Sequence, residues 1–243
     1  MNLIIDCGNT LTKIALFHGN EMIAFSRVTS FGIQEIEHFI LSNPGIKNAV
    51  ISDVRDYDEN INVYLKQRFN TLVFSNSTAV PITNSYSTPE TLGKDRLAAV
   101  VGAHHLFPSS DVLVIDAGTA ITYDIISADG VYTGGGIAPG IAMRYKALHT
   151  FTGRLPLLDY YGDTPLVGNN TVMSIQSGVL NGAVAEMDGI ITQYLNQSPL
   201  IKIIVTGGDY NYFDKRLKIK TFAAPNLVLE GLNLILEFNI GTH

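Results

Sequence analysis

One local pattern occurs twice in this chain, and no other feature restricts the possible folds as tightly. Leu3-Ile4-Ile5 is an apolar run closed by Asp6-Cys7-Gly8-Asn9-Thr10, and Lys13 to Phe17 follow as a second β-prone run. Val112-Leu113-Val114-Ile115 is closed by Asp116-Ala117-Gly118-Thr119, and Ile121 to Ile126 follow in the same way. Each copy reads as a buried strand, an Asp-x-Gly turn with a nearby threonine, and a second strand. A single Asp-x-Gly is an ordinary hairpin turn, because Asp and Gly both suit tight backbone. Two copies of the whole unit, with Asp6 and Asp116 110 residues apart, predict duplicated α/β domains. Residues 1–110 and 111–243 are then the two domains, meeting near 108–111.

Between and beyond the copies, periods alternate. His18-Gly19-Asn20 separates Lys13–Phe17 from Met22–Val28 and predicts a hairpin. Ile33, Ile36 and Ile40 recur at helical spacing. Ala49–Ser52 reads as a strand, Ile61–Phe69 as a helix and Thr71–Phe74 as a strand. Residues 76–92 are rich in Ser, Thr, Asn and Pro and lack a period, which predicts a long functional loop. A helix from Lys94 to Leu106 is closed by Pro108-Ser109-Ser110. In the second half, Gly134–Gly140 reads as a glycine turn. Residues 140–150 and 171–197 read as helices, 202–205 as a strand, and Asn226–Phe238 as a last helix. This order predicts a mixed α/β fold with hairpins, not a repeating βαβ barrel.

Charge and cysteine content narrow the function. The formal net charge of −6 gives no attraction for a phosphate backbone, so nucleic acid is not an expected partner. The lone Cys7 allows neither an internal disulfide nor a cysteine metal cluster. The Asp6 charge beside it disfavours a thiolate, so Cys7 is not read as a nucleophile. The start of the chain lacks a basic n-region and a long apolar stretch, and no run approaches the ~18 apolar residues of a membrane span. A cytoplasmic protein is expected. Only 16% of residues are charged, which fits either an oligomer or a large core.

Several nucleotide-binding signatures are missing. Gly135 and Gly140 have P-loop spacing, but Ile141 stands where the P-loop lysine belongs, and Pro139 breaks a Rossmann fingerprint. His104 and His105 are adjacent on a helix and point about 100° apart, so they form no metal pair. The repeated Asp-x-Gly pattern suits phosphate better. A carboxylate at a strand end is held rigidly, the glycine lets backbone N–H groups approach a phosphate, and the threonine adds a donor. Lys13 supplies a point charge. Such a loop fits Mg·ATP, with the carboxylate holding magnesium through water.

Facing Asp-Gly-Thr hairpins resemble the two phosphate loops of the acetate and sugar kinase, heat-shock ATPase and actin superfamily. Val205-Thr206-Gly207-Gly208 resembles its adenosine loop. Gly93-Lys94-Asp95-Arg96 before Leu97-Ala98-Ala99 resembles the Gly-x-Asp-Arg motif of type III pantothenate kinases. Asp116–Thr122 looks like that family's second phosphate loop, and Gly134–Gly140 like its glycine-proline turn. The motifs occur in the family's order over most of residues 3–208. Residues 209–243 carry no matching motif, and Lys94 replaces a residue that is often small.

The resemblance implies two ribonuclease H-like domains of the actin-like ATPase type, with mixed sheets flanked by helices and a cleft between the domains. It implies phosphorylation of pantothenate by ATP with Mg2+ and a monovalent cation, K+ or NH4+, in a homodimer. ATP would be bound by Asp6, Cys7, Gly8, Asn9, Thr10, Leu11, Thr12, Lys13 and Thr119. Pantothenate would meet Tyr86, Gly93, Lys94, Asp95, Arg96 and Thr171, with Asp95 as the catalytic base. Asp116 would hold the monovalent cation. Lys94 is expected to point away from Asp95, as helix neighbours do. Tyr86 could equally be a loop aromatic packed on its own domain, and Thr171 a helix N-cap. The apolar stripe Val179–Ile191 could face a second subunit or the chain's own core. Three rival functions remain: a non-catalytic relative, a sugar or acetate kinase, and an ATP-driven machine of the heat-shock type.

Overall fold

The computed structural model describes residues 1–8, 10–29, 31–53 and 58–241. The first apolar run becomes β1 (Asn2–Cys7), buried along its whole length. Alternate side chains of a strand face opposite ways, so a strand without a polar face must be covered on both. β1 pairs antiparallel with β2 (Thr12–His18), which pairs antiparallel with β3 (Glu21–Val28). The turn between β2 and β3 uses Gly19 at φ +59°, a left-handed conformation that suits glycine. After α1 (Ile33–Ser42), β4 (Asn48–Asp53) lies parallel to β1. After α2 (Asn60–Arg68), β5 (Asn70–Val73) lies parallel to β4. The sheet order is β3-β2-β1-β4-β5. One core lies on the side of this sheet covered by α1 and α2, where Leu3, Ile5 and Ile51 meet Ile36, Phe39, Ile61 and Leu65.

The loop expected at 76–92 contains the short β6 (Thr83–Asn84) and one 3-10 turn at Pro89–Thr91. It leads into α3 (Lys94–Leu106), whose residues 96–103 are all buried. The element order then repeats. β7 (Val112–Ala117), β8 (Ala120–Ile126) and β9 (Val131–Pro139) are followed by α4 (Ile141–Thr150) and α5 (Thr171–Gln197). β10 (Lys202–Thr206), α6 (Tyr210–Asp214), β11 (Phe222–Ala223) and α7 (Leu227–Ile240) complete it. The second sheet has the order β11-β10-β7-β8-β9-β6. Its first five strands reproduce the first sheet strand for strand. β7 is antiparallel to β8 and parallel to β10, as β1 is to β2 and β4.

By compactness the chain forms two units. One comprises residues 1–108, 129–133 and 226–243, the other 109–128 and 134–225. Thus α7 belongs spatially with the first unit although it follows the second half in sequence. The reason is its packing on α3: Gly102 and Gly231 bring the two backbones together. A Cβ on Gly231 would fall 1.8 Å from the Ala98 carbonyl oxygen. Asn233 of α7 also accepts a hydrogen bond from Asn2 at 3.0 Å and donates to the Gly19 carbonyl at 3.0 Å.

One local expectation needs correction, and one open alternative is decided. Residues 134–139 are the latter part of strand β9 and not a turn. The glycines serve a close approach, since a Cβ on Gly135 would sit 1.5 Å from the Tyr123 carbonyl oxygen of β8. The apolar stripe of α5 largely faces its own unit: Val179, Leu180, Ala183, Met187 and Ile191 pack with Leu113, Ile115 and Tyr123. No helix among the described residues is long and apolar enough to cross a membrane.

Candidate active site

The first hairpin places a carboxylate where water is largely excluded. Asp6 is only 6% exposed and lies opposite Lys13 in the β1–β2 register. Burial pushes its pKa up to about 6, against the pull of the Lys13 ammonium and with a further push from Asp95. Asp6, Lys13 and Asp95 therefore share one electrostatic neighbourhood in the first unit. The Gly8 N–H donates to the Leu11 carbonyl at 3.1 Å. Asn9 lies outside the described residues. Thr10 is exposed at the loop, Leu11 is half-buried, and Cys7 and Thr12 are buried where the strands meet it.

The Gly-x-Asp-Arg segment opens α3. Gly93 is the N-cap with an ordinary φ of −59°, so conformational freedom is not why glycine stands there. Space is the reason: a Cβ on Gly93 would lie 2.6 Å from Asp95 Oδ1. That oxygen accepts from the Arg96 backbone N–H at 2.8 Å. Arg96 is buried, with its guanidinium 5.6 Å from the centre of the Tyr86 ring. Tyr86 stacks in turn on Tyr132, with centroids 6.1 Å apart and planes 12° apart. The structure thus joins Tyr86 to the Asp95–Arg96 turn, and it also gives Tyr86 packing within its own unit. Lys94 forms an ion pair with Asp53 at the end of β4. A hollow of about 470 Å3 lined by Ser75, Asn76, Ser77, Pro89, Glu90 and Lys94 opens beside this turn.

The second hairpin is tighter. Gly118 N–H donates to the Ala120 carbonyl at 3.0 Å, so Thr119 alone forms the apex, and it is exposed. Asp116 lies opposite Thr122 where the first hairpin has Lys13. Its surroundings are glycine: a Cβ on Gly207 would stand 2.4 Å from Asp116 Oδ1, and one on Gly118 would stand 3.1 Å away. Gly140 donates its N–H to the Thr119 carbonyl at 3.2 Å. A Cβ there would meet the Gly118 and Thr119 carbonyl oxygens at 2.4 and 2.5 Å. Arg144 reinforces this corner by donating to the Pro139 carbonyl at 2.8 Å and to both Glu186 oxygens. Thr171 is the first residue of α5 and exposed, but the cap is its neighbour: Asn170 Oδ1 accepts from the Met173 N–H at 2.9 Å.

Sequence reasoning passed over Ser52, Asp53 and Asp209. Ser52 and Asp53 stand level with Asp6 and Cys7 in the β1–β4 register. The Ser52 hydroxyl is buried and has no hydrogen-bond partner among the described residues. Asp209 follows the Thr206-Gly207-Gly208 loop, and burial raises its pKa to about 6. A carboxylate closing a predicted strand was the available signal for Asp53, as it was for Asp6. The donor set fits a magnesium nucleotide. Asp6 is a buried acid, Ser52 offers an unused hydroxyl beside it, and Gly8 lacks a side chain that would crowd the Leu11 carbonyl. No group of three or more His, Cys, Asp or Glu is arranged for a metal among the described residues. Magnesium held through one carboxylate, phosphates and water needs no such cage.

Comparison with known proteins gives a consistent picture. Residues 2–193 match the family model described as type III pantothenate kinase. A type III pantothenate kinase of Phocaeicola vulgatus is 45% identical over 240 residues, covering 98% of this chain and 99% of the relative. Two solved structures share the fold. A Campylobacter jejuni protein described as a Baf family transcriptional activator has a TM-score of 0.60 at 23% identity, with 98% and 99% of the two chains covered. The ROK hexokinase of Thermus thermophilus has a TM-score of 0.51 at 12% identity and the same coverage. At such identities these two establish the fold alone: mixed α/β sheets flanked by helices.

Proposed function

This chain belongs to the type III pantothenate kinase family, and from that premise we propose that it phosphorylates pantothenate with ATP. The product would be 4′-phosphopantothenate, the first intermediate on the way to coenzyme A. One observation carries the mechanism: Asp95 sits at the start of α3 and within the electrostatic field of Asp6, the buried acid of the phosphate loop. A base that must receive a proton while phosphate is transferred beside it belongs in such a neighbourhood.

The roles follow from the chemistry. Asp6 would hold magnesium through water, while the backbone N–H groups and hydroxyls of Gly8 to Thr12, with Lys13 and Thr119, would bind the phosphates. Magnesium held there would supply positive charge against the phosphates. Asp95 would orient the primary hydroxyl of pantothenate and take its proton as the oxygen attacks the γ-phosphorus and the bond to ADP breaks. The transition state is loose, so orientation matters more than basic strength. Arg96 would pair with the substrate carboxylate, with Tyr86 stacked beneath it. Gly93 makes room for the base, and Thr171 would add a substrate contact. Asp116, hemmed by glycine backbone, would hold potassium or ammonium.

The assembly and setting belong to the same reading. We infer a cytoplasmic homodimer of a two-domain chain that divides near 108–111, with α7 returning to the first domain. The exposed Ile137, Phe151, Leu157, Leu166 and Val167 of the second unit support a partner better than the largely buried stripe of α5 does. A monomer mass by light scattering at working concentration would remove the dimer from this reading. The central test is incubation of the pure, folded protein with Mg·ATP, potassium and pantothenate. Mass spectrometry is expected to detect 4′-phosphopantothenate, and its absence would overturn the assignment.

A further inference from the structure

An acid that the proposed mechanism leaves without a role meets the first turn of α3. Asp53 closes β4, level with Cys7 of β1, and its carboxylate is ion-paired with the Lys94 ammonium. Lys94 opens α3 and directly precedes Asp95. Its long flexible stem lets one ammonium serve either of two carboxylates, Asp53 or Asp95.

The helix does not need this pair to stay in place. Residues 96–103 are all buried, and Gly102 packs against α7. The Lys94 and Asp53 side chains, by contrast, are 26% and 29% exposed, and pairs this open add little to folding. What the pair fixes is the location of one positive charge. An ammonium settled on Asp95 would occupy the oxygens that must orient the substrate hydroxyl, and would also make them poorer proton acceptors.

We propose that Asp53 is a positioning residue for the phosphoryl transfer. It holds the Lys94 ammonium at the end of β4 and keeps it from pairing with Asp95, which stays available for the substrate's hydroxyl proton. This rests on the kinase reading, with Asp95 as the base. Asp53 touches neither substrate nor nucleotide in this account; it acts through Lys94.

Steady-state kinetics on Asp53→Asn, Lys94→Met, the double variant and Asp53→Glu test the idea, with thermal melts confirming that each is folded. Asp53→Asn keeps the shape and frees the ammonium. Its kcat is expected to fall about 10- to 100-fold, within the weight of a general base, while KM for pantothenate and ATP changes little. The double variant is expected to be faster than Asp53→Asn alone, because the displaced charge is gone. Asp53→Glu, which keeps the charge, is expected to stay nearest to wild type. Turnover of Asp53→Asn at the wild-type rate would overturn the proposal, as would a double variant no faster than Asp53→Asn. Wild-type protein that makes no 4′-phosphopantothenate is a separate result, read before any variant. It would remove the kinase reading and the role of Asp53 with it.

Discussion

The two hairpins share a strand order and an Asp-x-Gly turn, yet they are built against different threats. In the first, Asp6 is buried, faces Lys13 and feels Asp95, so its difficulty is charge. In the second, Asp116 is half-buried and faces Thr122, and its close neighbours are glycines at 118 and 207, so its difficulty is space. The loops differ accordingly, with two residues between Gly8 and Leu11 and one between Gly118 and Ala120. A duplicated scaffold has thus diverged into one site sensitive to charge and one sensitive to volume.

The largest expected effect lies beside the first hairpin. Asp95→Asn should leave folding and ATP binding intact and lower turnover by about 10²–10⁴-fold, or about 3–5 kcal/mol of transition-state stabilisation. Turnover within a few-fold of wild type would show that Asp95 is not the base.

Next comes the cost of the Asp6 charge itself. Its folded pKa of about 6 lies above the ordinary 3.8, so the folded state holds the extra proton between those values. Stability of the ligand-free protein should therefore rise as pH falls from 7.5 through 6 towards 4. Asp6→Asn should be more stable than wild type at pH 7.5 by about 3 kcal/mol, with the gap closing near pH 4. The same variant should lose the stabilisation that Mg·ATP gives wild type. Urea melts at several pH values, with and without nucleotide, measure both. A variant less stable than wild type at pH 7.5 would mean that the carboxylate is better compensated than its surroundings indicate.

In the second hairpin the expected sensitivity is to added atoms. Gly207 has φ +92°, and a Cβ would stand 2.5 Å from the Ala117 carbonyl oxygen as well as 2.4 Å from Asp116 Oδ1. Gly207→Ala should cost about 1–3 kcal/mol by overpacking and backbone strain. Gly208→Ala meets nothing within 4 Å and should cost far less. Equal melting midpoints for the two variants would abolish the contrast. The smallest effect should come from Asp116→Asn, which adds no atoms. It should weaken the response of turnover to potassium by a few-fold, and a potassium titration unchanged from wild type would release Asp116 from the cation role.

What could be read from sequence was what the chain encodes locally. Strand, Asp-x-Gly, threonine and second strand lie within fifteen residues, so both copies were visible, and with them the duplicated fold. The misread features depend on distant partners. The glycines at 134–136 looked like a turn because their reason, the Tyr123 carbonyl, lies on another strand. Lys94 pairs with Asp53, which agrees with its expected turn away from Asp95, but the partner itself lies 41 residues earlier and could not be read. The stripe on α5 was ambiguous because a helix pattern gives the apolar face and not what covers it. Residues 209–243 carried no motif because α7 contributes packing, and a glycine that admits a neighbouring backbone has no sequence signature of its own.

That last helix has a consequence for how the protein is made. The first unit is discontinuous: residues 226–240 complete it, and Asn2 of β1 finds a hydrogen-bond partner in Asn233. On the ribosome the first 108 residues emerge long before α7 is synthesised. At roughly 5–20 residues per second, the delay is on the order of 10 s. During that interval the Ala98–Gly102 face of α3 has no Gly231 backbone against it. The nascent chain must therefore carry an unfinished N-terminal sheet through the synthesis of the entire second unit, an interval in which a holding chaperone has the most to bind.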